Sequence, residues 1–488
     1  MFKSKKLSNL KKQLKQADSY QEWCEIAQIY DKKSGFSRWR RTERSDLYDY
    51  VQIRQRLDRL RHCREKNDDH CLLFILNEGI HGNMGGMGRS VLYSRSKVGT
   101  KHLIEEYTDE LVSALKHIAQ VDESIISREE KLDLFTRASH CCGRSALMLS
   151  GGGSLGHFHL GVLKALLEQD LLPSVLSGSS AGSLVTAYIG THTREEVLEY
   201  LHSDKVLEEA KEEVSWINRV IYGKSDNNRM DVSELQQVIN RLIPDLTFQE
   251  AYDLSGYKIN ISVAPSELHQ TSRLLNAITS PNVYIRTAIL ASCAVPGVYP
   301  AVTLMAKGVN GDKQPYLPTR KWIDGSVSDD LPAKRLARLY GVNHYIGSLI
   351  NPIVMVSHKD AVERSELGNI INKVTHYSIS QWAKTANNLT IKYGKNWPRL
   401  KLFTNMINSV LQQNYDADIV IFPDFKAFKL SKILSPLTAE ELLALVRQGE
   451  IATWEKMDMI RGCSKISRVL DEIMDDYIEP RKALPIAV

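Results

Sequence analysis

Apolar residues recur with a helical period in the first part of the chain. In segments 50–62 and 103–118 they appear every three to four positions, with charged residues between them, and this spacing predicts amphipathic helices. A stretch with five glycines at 77–90 interrupts the pattern. Residues 1–142 are therefore predicted to form a helical N-terminal domain.

The pattern changes at Gly143. A short apolar run at 145–150 predicts a strand, and it is followed by a glycine turn and by leucines at helical spacing in 157–170. A second apolar run within 173–182 ends in a small-residue turn, and a further helical segment opens at Ser183. Strand, helix, strand and helix in this order predict a parallel sheet with helices packed on it.

The longest uncharged run, residues 287–306, has the length of a membrane span. Pro296, Gly297 and Pro300 lie within it and would break a spanning helix, so we interpret this run as a buried strand and turn.

The last part of the chain mixes strand-like stretches at 345–350 and 418–423 with long amphipathic helices. The predicted fold class is α/β, with a central mainly parallel sheet and helical extensions at both ends. We expect the sheet-bearing domain at 143–340. The extension at 341–488 should complete the sheet and cap it with helices.

The composition is that of a globular protein. Of the 488 residues, 43% are hydrophobic and 25% are charged, which excludes a largely disordered or collagen-like chain. Seven scattered cysteines without a CxxC pair are interpreted as buried or free thiols of a reducing compartment. No secretory signal is visible at the N-terminus, so we expect a cytoplasmic protein, soluble or peripherally membrane-associated, without a metal site.

The basic residues are concentrated at the N-terminus. Residues 1–66 contain 18 Lys and Arg against nine Asp and Glu, an excess that favours acidic lipid headgroups or nucleic acid. A solvated helical face is the alternative. Nucleic acid is not expected, because no zinc-ligand spacing or RNA-recognition signature accompanies the charge. Residues 370–412 combine Trp382 and Trp397 with six basic residues and suit either a lipid interface or a helical cap.

The glycine turn GGGSLG fits the pattern G-x-G-x-x-G through Gly151, Gly153 and Gly156. A dinucleotide site would also need an acidic residue about 20 positions later, at the end of the next strand. That strand ends in a serine turn instead, so no cofactor is expected. The backbone N–H groups of the loop remain available to another anion.

The serine turn reads GSSAG, with Ser180 at the centre and the small residues Gly178 and Gly182 on either side. This pattern between a strand and a helix is typical of a nucleophilic serine. Neighbouring parallel strands end side by side. The N–H groups of Gly152 and Gly153 could therefore face the oxygen that becomes negative when Ser180 attacks an ester.

A nucleophilic serine needs a proton acceptor. Asp324 is the better candidate, because it follows the apolar strand end Trp322 and Ile323 and precedes a Gly-Ser turn. An ordinary Asp-Gly turn without a catalytic role is an equally good interpretation of this residue. The histidines after Ser180 stand in no constrained loop and are interpreted as ordinary residues. They are His192, His202, His269, His344, His358 and His376.

GGGSLG, GSSAG and DGS, in this order, resemble the motifs of the patatin-like phospholipase family. The resemblance implies a three-layer patatin-like fold, Ser180 as nucleophile, Asp324 as proton acceptor and an oxyanion hole in the glycine loop (Gly151, Gly152, Gly153 and Gly156). The third motif, Asp324-Gly325-Ser326, departs from the usual D-G-G or D-G-A, which leaves the aspartate in place and the turn geometry open.

The segment 19–40 and the following helices resemble the domain of uncharacterised role that precedes the patatin domain in triacylglycerol lipases. The resemblance implies a lipase that forms an acyl-serine intermediate on glycerolipids, first of all triacylglycerol. A phospholipase A, a lysophospholipase or a lysophospholipid acyltransferase is the alternative enzyme, and a catalytically silent lipid-surface scaffold the alternative outside enzymes. The expected partners are a lipid substrate and the surface of a membrane or lipid droplet. His117 and Asp122 also fit an H-x4-D acyltransferase pattern, which is discounted because the two side chains would point apart on a helix.

Overall fold

The computed structural model describes residues 2–80, 82–202, 232–267, 271–296, 299–351, 417–424 and 438–478. Contacts divide the chain into two units. The first contains residues 1–145, 340–344 and 453–488, and the second contains residues 146–339 and 345–452. The predicted boundaries after residues 142 and 340 stay predictions.

The beginning of the chain is helical, as predicted. Its helices are α1 (Phe2–Leu14), α2 (Tyr20–Ser34), α3 (Phe36–Arg41), α4 (Tyr50–Glu65), α5 (Asp69–Asn77), α6 (His102–Gln120) and α7 (Arg128–Cys142). Four of them begin at a side chain that accepts a hydrogen bond from an N–H group of the first turn. These N-cap residues are Ser19, Asp49, Asp68 and Ser127. Such caps satisfy donors that have no partner inside the helix.

The core of the first unit lies between α4, α6, α7 and a C-terminal helix, α16 (Met457–Ile478). Leu57, Leu111, Phe135 and Leu470 are among the side chains fully buried there. The last helix of the described residues is thus part of the helical unit.

Two of the seven cysteines are paired. Cys63 in α4 and Cys71 in α5 form a disulfide with Cα atoms 5.9 Å apart, so the prediction of thiols alone is wrong here. The short turn between α4 and α5 brings the two residues within disulfide range, which their spacing in the sequence does not reveal. The other five cysteines form no disulfide in the part of the chain that the structure describes.

The second unit contains the sheet. Its strands are β1 (Arg144–Leu149), β2 (Val175–Gly178), β3 (Lys258–Pro265), β4 (Arg273–Leu275), β5 (Met305–Lys307), β6 (Lys313–Pro315), β7 (Trp322–Asp324), β8 (Val342–Ser348) and β9 (Ile419–Ile421). Its helices are α8 (His157–Glu168), α9 (Ala181–Gly190), α10 (Arg194–His202), α11 (Val232–Leu242), α12 (Phe248–Ser255), α13 (Ile285–Ser292), α14 (Ala333–Tyr340) and α15 (Ala439–Trp454). β1, β8, α14 and α15 extend by a few residues across the boundary with the first unit.

The main sheet has the order β4-β3-β2-β1-β8-β9, with β7 paired to β3, and β5 and β6 form a separate two-stranded sheet. β1, β2 and β3 are parallel neighbours, and so are β8 and β9, whereas β4 and β7 run antiparallel to β3. The sheet is therefore mainly parallel, as predicted. β8 and β9 fall on the predicted strand-like stretches. No helix among the described residues is long and apolar enough to cross a bilayer.

One predicted element is wrong. The run 287–306 was expected to form a strand and a turn, but its first part belongs to α13, which ends at Ser292. A short apolar run has the same pattern in a buried strand and in a buried helix. α13 packs against β3, β7 and α9, so it is buried along much of its length and shows no polar face.

Candidate active site

Ser180 lies on a sharp turn between β2 and α9. Its backbone angles, φ 49° and ψ −122°, are rarely adopted by residues with a side chain and cost about 1–3 kcal/mol. A Cβ atom at Gly178 would clash with the Gly182 carbonyl, and one at Gly182 would clash with the Leu149 carbonyl. Only glycine fits at both positions, and the turn holds the partly exposed Ser180 at the end of the strand.

β2 and β7 meet end to end along one edge of β3. Gly178, the last residue of β2, is opposite Ile261, and Asp324, the last residue of β7, is opposite Val263. β4 pairs with these same β3 residues and so occupies the other edge. Because β2 is parallel and β7 antiparallel to β3, their C-terminal ends converge across one residue, a separation of about 7 Å along the strand. This arrangement brings Ser180 and Asp324 together.

The Asp324 carboxyl group is buried, with 1% of the residue exposed. Its Oδ1 accepts a hydrogen bond from the Ser326 N–H at 2.8 Å. Burial raises the pKa of Asp324 from 3.8 to about 6, and hydrogen bonds from Ser326 and from the Ser180 side chain offset part of the rise. The carboxyl group thus lies beside the Ser180 side chain, and burial brings its pKa closer to neutral pH.

Ser292, at the end of α13, fixes the backbone of the turn. Its Oγ accepts a hydrogen bond from the Ser180 N–H at 2.9 Å and donates to the Ser262 carbonyl at 2.8 Å. The Ser180 N–H is therefore unavailable to a substrate oxygen. Nothing in the sequence distinguishes Ser292 from other serines, because its role depends on the packing of α13.

The glycine loop lies beside the serine turn. Leu149, which ends β1, is opposite Gly178 of β2, so the two strands end side by side as expected. A Cβ atom at Gly151 would lie 3.1 Å from the Ser180 Cβ and 3.0 Å from the Ser326 Cβ. The predicted residues of the three motifs are therefore neighbours in space.

The four predicted loop glycines have different environments. A Cβ atom at Gly152 would lie 2.7 Å from Ile350, and one at Gly156 would lie 3.0 Å from the Ala181 side chain, whereas Gly153 is exposed and has φ +58° with open space around it. The Gly151 N–H already donates to Asp330. Among the predicted oxyanion donors, Gly151 is thus occupied, and Gly152 and Gly153 are the better candidates.

Asp330 ties the two loops together. The residue is 1% exposed, and its Oδ1 accepts hydrogen bonds from the Gly151 N–H at 2.9 Å and from the Ser179 hydroxyl. It holds the glycine loop against the residue that precedes Ser180. Asp330 is not among the predicted site residues, although its position six residues after Asp324 in the same motif is a signal that points to it.

Cys293 is adjacent to these groups. Burial raises the pKa of its thiol to about 12, and the negative charge of Asp324 adds to the rise. The thiol therefore stays protonated at neutral pH and does not compete with Asp324 as a proton acceptor.

The described histidines after Ser180 have other partners. His192 contacts the Tyr188 carbonyl, His202 pairs with Glu168, and His344 contacts the Ser145 hydroxyl. His269, His358 and His376 lie outside the described residues, as does the segment 370–412 with its predicted lipid contact.

Two further histidines are accounted for structurally. His159 is fully buried between the Ser150 carbonyl and the Ser348 hydroxyl, and burial lowers its pKa to about 4. His117 pairs with Asp69 at 2.7 Å, while Asp122 accepts the Ser124 N–H. The H-x4-D residues are therefore not paired with each other, as expected.

Comparison with known proteins agrees with this arrangement. Residues 2–140 match a domain of unknown function (DUF3336), and residues 147–337 match the patatin-like phospholipase family. The chain is 34% identical to triacylglycerol lipase 4 of Saccharomyces cerevisiae, over 96% of this chain and 53% of that protein. It is 32% identical to triacylglycerol lipase ptl2 of Schizosaccharomyces pombe, over 95% of this chain and 75% of that protein. It is 31% identical to triacylglycerol lipase ptl3 of the same yeast, over 98% of this chain and 99% of that protein.

The chain thus spans about half of the budding-yeast relative and nearly the whole of ptl3. The glycine loop, the serine turn and Asp324 lie in the segment that the phospholipase family matches. The chain belongs to the patatin-like phospholipase family and carries the domain of unknown function in front of the patatin domain.

Proposed function

We propose that the chain is a serine acyl-ester hydrolase that acts on glycerolipids through an acyl-Ser180 intermediate. The observation that carries this proposal is the placement of the partly exposed Ser180 beside the buried Asp324 carboxyl group, at the converging ends of β2 and β7. A serine hydroxyl held on a strained turn beside a carboxylate, at the start of a helix, is an arrangement suited to acyl transfer.

In the first step the Ser180 Oγ attacks the ester carbonyl carbon, and its proton passes to the Asp324 carboxylate. The tetrahedral intermediate then collapses, the bond to the glycerol oxygen breaks, and Asp324 returns the proton to the leaving alcohol. In the second step Asp324 takes a proton from water, and the resulting hydroxide attacks the acyl-serine. The second tetrahedral intermediate then collapses, the bond between the acyl carbon and Ser180 Oγ breaks, and Asp324 returns the proton to Ser180 Oγ as the fatty acid leaves. A pKa near 6 lets one carboxyl group serve as base and as acid.

The glycine loop would stabilise the negative oxygen of both intermediates. The N–H groups of Gly152 and Gly153 are the proposed donors, together with the start of α9, whose N-terminus favours negative charge. A single donor of this kind contributes about 3–4 kcal/mol to acyl transfer. Asp330 would keep the loop in place through its contacts with Gly151 and Ser179.

Triacylglycerol is the proposed substrate, because the relatives compared above are named triacylglycerol lipases. The family description instead points to phospholipids, which makes phospholipase A or lysophospholipase activity the second candidate. Either substrate is presented at a membrane or droplet surface, so peripheral contact with such a surface is part of the proposal.

A panel of lipid substrates tests both the chemistry and the preference. Purified protein should release fatty acid faster from triacylglycerol emulsions than from phosphatidylcholine or lysophosphatidylcholine. Ser180→Ala should release none and should no longer be labelled by a fluorophosphonate probe. Faster release of fatty acid from phospholipid would make phospholipid the substrate in place of triacylglycerol. Labelling of Ser180→Ala at the wild-type rate would refute the assignment of Ser180 as the nucleophile.

A further inference from the structure

The arginines of the N-terminal helices fall into two groups. Of the nine in residues 1–66, six form ion pairs with glutamates; they are Arg40, Arg54, Arg56, Arg59, Arg61 and Arg64. Four of the partners, Glu78, Glu105, Glu106 and Glu110, lie outside the segment and neutralise part of its basic excess. Arg38, Arg41 and Arg44 form no ion pair within the part of the chain that the structure describes.

Two of these three, Arg38 and Arg44, line one cleft of the first unit. The cleft has a volume of about 520 Å³ and also contains Trp39, Asp46, Arg95 and Lys101. We call it the Trp39 cleft. Four cationic side chains thus face it against a single carboxylate, and its volume is in the range of small-molecule sites.

The guanidinium groups at the Trp39 cleft are free to bind a ligand. Arg38, Arg44 and Arg95 are exposed, and none of the hydrogen bonds or ion pairs among the described residues engages their side chains. Arg95 lies over the Trp39 ring at 5.9 Å, a contact that orients the guanidinium without using its N–H donors.

Lys101 forms the floor of the cleft. The residue is 1% exposed, its Nζ donates to the carbonyls of Trp39 and Thr42, and it lies 4.3 Å from the Trp39 ring centre. Burial and the nearby charge of Arg95 lower the pKa of Lys101. A buried ammonium without a carboxylate partner is costly, and an anion in the cleft would compensate it and screen its repulsion from Arg95.

We propose that the Trp39 cleft binds a phosphate group, and that the guanidinium groups of Arg38, Arg44 and Arg95 are its ligands. A phosphomonoester carries a charge of about −1.5 to −2 and three acceptor oxygens, which matches several arginines. A carboxylate has one negative charge and two oxygens, and a single arginine satisfies it. The phosphate could belong to a lipid headgroup at a membrane surface or to a soluble molecule.

Binding to vesicles tests the lipid source. The full chain is used with Ser180→Ala, so that the vesicle lipids are not consumed, and phosphatidylcholine vesicles contain either phosphatidic acid or oleic acid at matched surface charge. The cleft variant combines Arg38→Gln, Arg44→Gln and Arg95→Gln. Its control combines Lys32→Gln, Lys33→Gln and Lys66→Gln, three exposed lysines of the same unit that lie outside the cleft and remove the same charge.

We expect the cleft variant to bind phosphatidic acid vesicles about a hundredfold more weakly, since each basic residue near an anionic surface contributes roughly fivefold. The control variant should bind nearly as well as the parent. Equal losses in both variants would show that diffuse charge is responsible and would overturn the proposal. Equal binding to phosphatidic acid and oleic acid vesicles would overturn the choice of phosphate.

The soluble source is tested by calorimetric titration with inorganic phosphate and glycerol 3-phosphate. Saturable binding that the cleft variant loses supports the site with a soluble ligand, and cleft-dependent binding to vesicles alone supports a lipid headgroup. Absence of cleft-dependent binding in both arms refutes the site. Circular dichroism verifies folding, and Arg38→Gln alone replaces the triple variant if that variant fails to fold. Hydrolysis plays no part in these assays, so their failure would leave the proposed function intact.

Discussion

The buried Asp324 carboxyl group should make the stability of the protein depend on pH. Its pKa is raised from 3.8 to about 6, and each pKa unit corresponds to about 1.4 kcal/mol, so the shift is equivalent to about 3 kcal/mol. Since the folded-state value lies above the unfolded-state value, the folded protein binds an extra proton between about pH 4 and pH 6. Stability therefore falls as the pH rises through this window, and the full destabilisation of about 3 kcal/mol is present above it.

Replacing Asp324 by asparagine removes the ionisation and keeps an Oδ1 acceptor for the Ser326 N–H. We expect Asp324→Asn to lose turnover and yet to exceed the wild type in stability at pH 8, by up to about 3 kcal/mol. The gain should shrink as the pH falls towards 4 and disappear below about pH 3, where the wild-type carboxyl is protonated in both states. Urea unfolding measured at a series of pH values gives this difference. Asp253→Asn, at an exposed position on α12, is the control.

The same pKa predicts the pH–rate profile of the wild type. With a soluble short-chain ester, kcat/KM should rise tenfold per pH unit at low pH and level off above about pH 6, since the base must be deprotonated. Parallel stability curves for wild type and Asp324→Asn would refute the burial argument. A stability gain of Asp324→Asn that appears only at acid pH would refute the predicted direction of the pH dependence.

Three further predictions concern the turn and its supports. Ser180→Gly and Ser180→Ala should both be inactive, but the glycine variant should be more stable by about 1–3 kcal/mol in urea unfolding because glycine relieves the strained backbone; equal stabilities would contradict the strain. Asp330→Ala should lower kcat by about 10²–10³-fold while KM changes little, as expected for a displaced oxyanion loop, and a change confined to KM would exclude this role. Gly182→Ala should abolish soluble expression or activity because its Cβ would strike the Leu149 carbonyl, whereas Gly311→Ala, at φ +82° in open space, should cost about 1 kcal/mol in thermal unfolding.

The local elements of this protein could be predicted from the sequence. The turns GGGSLG and GSSAG carry their own conformational requirements, because glycine is needed where a side chain would strike neighbouring backbone. Apolar runs before each turn and helical spacing after it predict β1, α8, β2 and α9. Parallel strands then place the two turns side by side, which the pairing of Leu149 with Gly178 confirms.

Long-range pairing was decided only in three dimensions. Asp324 is 144 residues from Ser180, and the two meet because β7 runs antiparallel to β3 and ends where β2 ends. No local pattern encodes this register, and the residues around Asp324 fit an ordinary Asp-Gly turn equally well. Ser292 and Asp330 were missed for the same reason, since a polar side chain shows its partners only after its element has packed.

The tertiary structure also decided how charge and burial are distributed. The sequence by itself determined that residues 1–66 are basic, but not that glutamates neutralise six of their arginines and leave Arg38 and Arg44 beside Trp39. It likewise determined that 287–306 is apolar, but not that its first part is helical. A periodic pattern arises when one face of an element is buried and the other faces solvent, so a segment buried on all sides shows no such pattern. An ion pair depends on which helices become neighbours, and this is decided by tertiary packing.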